Sequence, residues 1–217
     1  MKNILEIRNL SHAYDQAGSI IKDFNFSLKK GEIVSILGPS GIGKTTLLRI
    51  VAGLEDVMDG EVIISEKVAS KKNFLLPPEK RNLGLVVEDR ALFPHLNIEK
   101  NVMFGISHIQ ERESLAQEYL GLFKVADLSK KYPHEISAGQ QQRVAFARAL
   151  ITNPDILLLD EPFGALDKNL KEELHEETKK IFKNKDLSVL LVTHDEEEAK
   201  YFTDRIIEFQ EDKIFVR

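Results

Sequence analysis

Apolar and polar residues alternate loosely over residues 4–10 and again over 20–28, the period-two pattern of half-buried strands. A polar, turn-like stretch at 11–19 separates them. Residues 33–37 form an apolar run, and a helical pattern starts near Lys44 and stops at Gly53. A short strand is expected at 61–65, a solvated loop at 66–73 and a buried strand at 83–87 that ends in Glu88-Asp89. From 91 to 150 the period becomes helical, with Pro94 and Pro133 as punctuation. The runs at 156–159 and 189–192 are continuously apolar, as parallel strands covered on both faces must be, and a charged helix lies between them at 167–183. The pattern predicts one α/β domain over 1–217: a core of 1–89 and 151–217, interrupted by a helical subdomain at 90–150.

Composition narrows the classes. The 217 residues are 42% hydrophobic and 30% charged, ordinary for a globular chain able to bury a core. A net charge of −5 argues against general nucleic-acid binding, and no nucleic-acid partner is expected. With no cysteine, disulfides and thiolate metal sites are excluded. Glu6 and Arg8 interrupt the N-terminus, and no stretch approaches the ~18 apolar residues a membrane span needs. Action at a membrane would require another chain to supply the spans.

Candidate chemistry starts at residues 38–45, Gly-Pro-Ser-Gly-Ile-Gly-Lys-Thr, set between the apolar run and the helix. A strand, a loop of the form G-x-x-x-x-G-K-[ST] and a helix make a phosphate cradle. Glycines let backbone N–H groups converge on one anion, and the helix start adds its positive dipole end. Gly38, Ser40, Gly41, Gly43 and Thr46 complete a loop in which Lys44 offers a full charge and Thr45 a hydroxyl for Mg²⁺. Asp160 and Glu161 follow the 156–159 strand, where α/β sheets place ligands. Asp160 is the expected Mg²⁺ ligand and Glu161 faces the attacking water. Ser137, followed by Gly139 and Gln140, opens a second helix whose start can receive an anion.

With these segments in place the chain resembles the ATP-binding subunits of ABC transporters over essentially its whole length. Residues 136–143, Ile-Ser-Ala-Gly-Gln-Gln-Gln-Arg, look like that family's signature segment. The resemblance implies a P-loop NTPase core of ABC type with an antiparallel β subdomain and a helical insertion. It implies ATP and Mg²⁺ as cofactors, and a head-to-tail homodimer or ABC heterodimer. ATP would then lie between Lys44 and Thr45 of one subunit and Ser137, Gly139 and Gln140 of the other. Membrane permease subunits, a substrate-binding protein and a cytoplasmic position on the inner membrane face are implied as well. Tyr14 matches the aromatic that stacks on adenine, although unaided a lone tyrosine is more often packing. Gly164-Ala165-Leu166-Asp167 matches a loop at the dimer interface, and His194 a switch histidine that reaches the γ-phosphate. Residues 78–81 and 91–96 resemble importers of sugars, polyamines, iron and oxyanions.

The chain departs from that pattern at several positions. Glu88 stands where the family has a glutamine that ligates Mg²⁺; a carboxylate also ligates, but repels the triphosphate when the cation is absent. Ala138 replaces a signature glycine, costly only if the backbone there needs positive φ. Gly164 replaces a commoner serine, and the C-terminal regulatory domain usual in these importers is not expected beyond Arg217. Lys44, Asp160, Glu161 and His194 are intact, so an active ATPase is expected. A non-transport ABC ATPase and a regulatory ATP-binding module are the competing readings.

Overall fold

The computed structural model describes residues 2–13, 19–164, 166–203, 205–210 and 213–216. Strands β1 (Asn3–Ala13), β2 (Ser19–Lys29), β4 (Asp59–Ile64), β5 (Lys67–Lys71) and β6 (Phe74–Leu75) form an antiparallel sheet in the order β2-β1-β4-β5-β6. Two sequence expectations change here. Strand β1 continues through Ala13, beyond the turn expected from residue 11, and the expected loop at 66–73 holds a strand instead. Ser65 and Glu66 both adopt left-handed backbone (φ 48° and 66°), which closes a tight hairpin between β4 and β5. Only Ala69 and Ser70 of β5 are buried, so its outward lysines hide the strand in a hydropathy pattern.

The second sheet has the order β11-β10-β3-β9-β8-β7, built from β3 (Ile33–Leu37), β7 (Leu83–Val86), β8 (Ile156–Asp160), β9 (Ser188–Thr193), β10 (Arg205–Gln210) and β11 (Lys213–Val216). It is parallel except for the terminal β10–β11 hairpin. Its faces divide the core as the continuous apolar runs require. Ile156, Leu158, Leu190 and Val192 pack toward helix α1 (Lys44–Ala52) and the antiparallel sheet. Leu157, Leu159, Val189 and Leu191 pack toward α2 (Ile98–Met103), α3 (Arg112–Leu122), α4 (Ala138–Leu150) and α5 (Lys168–Asn184). A sixth helix, α6 (Glu196–Phe202), connects β9 to β10.

Helix α1 stops at Gly53 (φ 82°), as its sequence signals, and its last carbonyls are capped from outside. Arg81, 2% exposed, donates to Ile50 O, Val51 O, Leu76 O, Ala69 O and Ser70 Oγ, joining α1 to β5. Burial pulls its guanidinium down to about 10, and these acceptors offset the desolvation cost.

Candidate functional site

Pairings Leu37↔Thr193, Val192↔Asp160 and Leu159↔Val86 align the carboxyl ends of β3, β9, β8 and β7. The residues beyond those ends are the phosphate loop, His194, Asp160-Glu161 and Glu88. Chain topology alone therefore gathers groups that lie far apart in sequence.

In the loop, Gly41 and Gly43 hold φ 83° and 104°, a region closed to most side chains. This geometry turns the chain into α1, where Lys44 and Thr46 are buried while Ser40 and Thr45 are exposed. Lys44 is 4% exposed; its Nζ donates to Gly38 O (2.7 Å) and Pro39 O (2.9 Å) and lies 3.7 Å from Glu161 Oε1. Burial lowers the Lys44 pKa, against the attraction of Glu161 and Asp160. The ammonium is thus held by its own loop rather than free in solvent, with one face toward the carboxylates.

Thr45 Oγ1 donates to Asp160 Oδ1 at 3.0 Å. Burial raises the Asp160 pKa; the Thr45 hydrogen bond opposes that, and the charges of Glu161 and Glu88 add to it. Two hard oxygens side by side suit Mg²⁺. Among the described residues no three His, Cys, Asp or Glu side chains form a metal cage. A hard cation held by Thr45 and Asp160 would need further oxygens from phosphate and water.

Glu161 has a left-handed backbone (φ 46°), which costs a non-glycine residue roughly 1–2 kcal/mol. It is kept there by Glu161 N donating to Val192 O (2.9 Å) and Gly164 N donating to Glu161 O (3.2 Å). The kink turns the carboxylate off the strand, and Oε2 lies 2.7 Å from His194 Nδ1. Glu88 faces the same space: a Cβ on Gly164 would lie 3.8 Å from Glu88 Oε1 and 4.0 Å from Glu161 Oε2.

Ser137, Gly139 and Gln140 form a separate corner at the start of α4. Ser137 Oγ accepts from Gln140 N (3.3 Å), and Gln140 Oε1 accepts from Ser137 N (2.9 Å), a reciprocal cap. Ala138 is the first residue of α4 and is absent from the residues with positive φ, so the replacement of glycine carries no backbone strain. Tyr14 lies outside the described residues.

Two clusters escaped the sequence reading. Behind His194, Lys171 Nζ bonds Asp195 Oδ2 (2.6 Å) and reaches Glu198 Oε2 at 3.0 Å. Burial pulls the Lys171 pKa down, but the bonds to Asp195 and Glu198 together outweigh it and leave it raised. The three acidic residues opening α6, with Asp195 as N-cap, were a readable helix-start signal. Beyond Glu88, Asn101 is fully buried and pins the next loop: its Oδ1 accepts from Phe93 N (2.8 Å) and its Nδ2 donates to Phe93 O and Leu96 O (3.0 Å each).

Comparison with known proteins agrees with this arrangement. Residues 21–164 match the ABC transporter family. The Fe(3+) ions import ATP-binding protein FbpC 2 of Haemophilus influenzae is 40% identical over 215 residues, covering 97% of this chain and 60% of that protein. The spermidine/putrescine import ATP-binding protein PotA of Bacillus anthracis is 42% identical over 212 residues, covering 95% and 63%. The chain thus spans about three-fifths of the length of these curated relatives. A solved dimeric structure of the ATP-binding cassette MJ0796, in a post-hydrolysis state bound to ADP and Pi, superposes with a TM-score of 0.84 at 32% identity, covering 97% of both chains. The chain belongs to the ABC transporter family.

Proposed function

We propose that the chain binds ATP with Mg²⁺ and hydrolyses it as the energy-supplying subunit of an importer, working as a head-to-tail dimer against membrane permease subunits. The observation that carries this reading is the convergence of Lys44, Thr45, Asp160, Glu161 and His194 at the ends of adjacent parallel strands. Loop amides and the start of α1 receive the β- and γ-phosphates, with Lys44 as their charge partner. Thr45 and Asp160 would hold Mg²⁺, with Glu88 beside them, and the ion would supply positive charge against that of the phosphates. Glu161 takes a proton from water as the water oxygen bonds to the γ-phosphorus and ADP departs. His194, hydrogen-bonded to Glu161, orients that carboxylate and steadies charge on the transferring group.

In this reading 1–89 and 151–217 are the nucleotide-binding core, and the helices of 90–150 carry motion to the permease. Ser137, Gly139 and Gln140 meet the nucleotide held by the partner. In the same reading the permease contributes the membrane spans and the chain sits on their cytoplasmic side; among the described residues no helix is long and apolar enough to cross a membrane. The relatives named for iron and polyamine import favour a capture system that includes a substrate-binding protein.

Lys44→Ala tests the core of the proposal. Steady-state hydrolysis should fall to background and nucleotide binding should weaken strongly, because the loop's one ammonium is gone. Unchanged binding and turnover would overturn it.

A further inference from the structure

We propose that the first turn of α5 is a positioning element tying the start of α4 to the segment that carries His194, an inference resting on the function proposed above. Two adjacent residues make the tie. A Cβ built on Gly139 would lie 2.3 Å from Leu170 Cδ2 and 3.0 Å from Leu170 Cγ, so the leucine fills the space a side chain at 139 would occupy. Gly139 is not among the glycines with positive φ, so its lack of a side chain serves this contact rather than a special backbone.

Lys171, the next residue, grips Asp195 Oδ2 at 2.6 Å and Glu198 Oε2 at 3.0 Å. Asp195 in turn holds both flanks of its segment. Its Oδ1 accepts from Glu197 N (2.9 Å) and Glu198 N (3.1 Å), and its N–H donates to Thr193 Oγ1 (3.0 Å). The His194 ring is half exposed (54%) and bonded to Glu161, so the backbone on either side sets where it stands. The α5 turn is itself fixed by its N-cap, since Asp167 Oδ1 accepts from Leu170 N at 3.1 Å.

Leu170 and Lys171 cannot shift independently on one helical turn. Displacement at the start of α4 therefore moves the anchor of His194, and the reverse also holds. In a head-to-tail dimer those two ends of one chain serve different nucleotides, so the turn couples the two ATP sites.

The test uses the full chain carrying Gly139→Ala, Leu170→Ala, both together, Lys171→Met or Lys171→Arg. Amide hydrogen exchange over residues 193–198 is measured together with kcat and KM for ATP. Gly139→Ala should speed exchange at 193–198 and lower kcat by about tenfold, within what a small misplacement costs. Adding Leu170→Ala should restore most of both losses by making room for the methyl group. Lys171→Met should lower kcat by about tenfold with KM within about twofold, and Lys171→Arg should recover it. Exchange at 193–198 that ignores Gly139→Ala, or a Gly139→Ala defect that Leu170→Ala does not relieve, overturns the proposal. Should Lys171→Met not fold, the Gly139–Leu170 pair decides alone. A wild type without hydrolysis would remove the proposed function, while the exchange data would still decide the tie.

Discussion

Glu88 has the most to decide at the scale of single residues. Its charge adds to the rise in the Asp160 pKa, and Oε1 faces the space above Gly164 and Glu161. A serine at 164 would bring a hydroxyl within reach of both carboxylates; glycine leaves them without it. Glu88, Asp160 and Glu161 thus share a space bordered by Lys44, the Thr45 hydroxyl and His194. Such a site needs its divalent cation more than one with a neutral amide at 88. Glu88→Gln should keep hydrolysis within about tenfold of wild type, or ~1.4 kcal/mol of barrier, because the amide oxygen still ligates. Glu88→Ala, which loses the oxygen, should be slower. Hydrolysis measured across a Mg²⁺ titration should rise most steeply with cation in the wild type. Three superimposable curves would show that Glu88 does not act on the metal.

Helix α5 shows what a single element contributes beyond its length. It buries Leu174, His175, Thr178, Ile181 and Phe182, one face at helical spacing, and charged residues cover the other. His175 stands among aromatic rings, with Phe163 at 4.4 Å, Phe202 at 5.1 Å and Tyr201 at 5.5 Å between centroids. Burial, with help from the Lys171 charge and against Asp195, pushes its pKa from 6.5 down to about 4. The unfolded chain therefore binds a proton there that the folded one refuses. Stability is full above pH 6.5 and falls as pH drops from 6.5 toward 4, by about 3 kcal/mol from this group. His175→Met, similar in volume, should flatten that part of the profile in chemical denaturation at a series of pH values. An unchanged slope would place the acid sensitivity elsewhere.

The same helix marks the limit of what the sequence discloses. Its span, the parallel strands β3, β7, β8 and β9 and the phosphate loop were legible because each rests on local periodicity or a loop whose backbone demands glycine. Strand β5 was not, because half of it faces water and its hairpin turn uses Ser65 and Glu66 rather than glycine or asparagine. Lys171 was equally hidden: nothing local separates it from the solvated lysines around it, and only the packing of α5 on α6 brings it to Asp195. Groups whose role depends on long-range contact carry no sequence period.

At the scale of the whole molecule, the proposed function gives one chain two places for phosphate. The loop before α1 is the first. The start of α4 is the second: a short connection turns α4 back into β8, so its first residue lies toward the end of the sheet where Asp160 emerges. In the chain alone Ser137 and Gln140 cap that second start reciprocally. In the proposed head-to-tail dimer each nucleotide would meet one start of each kind, and hydrolysis would remove the charge that bridges them. Glu161→Gln keeps the shape of the site but removes the proton acceptor, so with ATP and Mg²⁺ it should elute from size exclusion at twice the monomer mass. Adding Ser137→Glu should return it to monomer. A carboxylate about 4 Å from a phosphate oxygen costs about 4 kcal/mol near a protein surface, roughly a thousandfold in affinity. Glu161→Gln that stays monomeric would remove the ATP-bridged dimer. A dimer that survives Ser137→Glu would mean that the start of α4 faces something other than the partner's nucleotide.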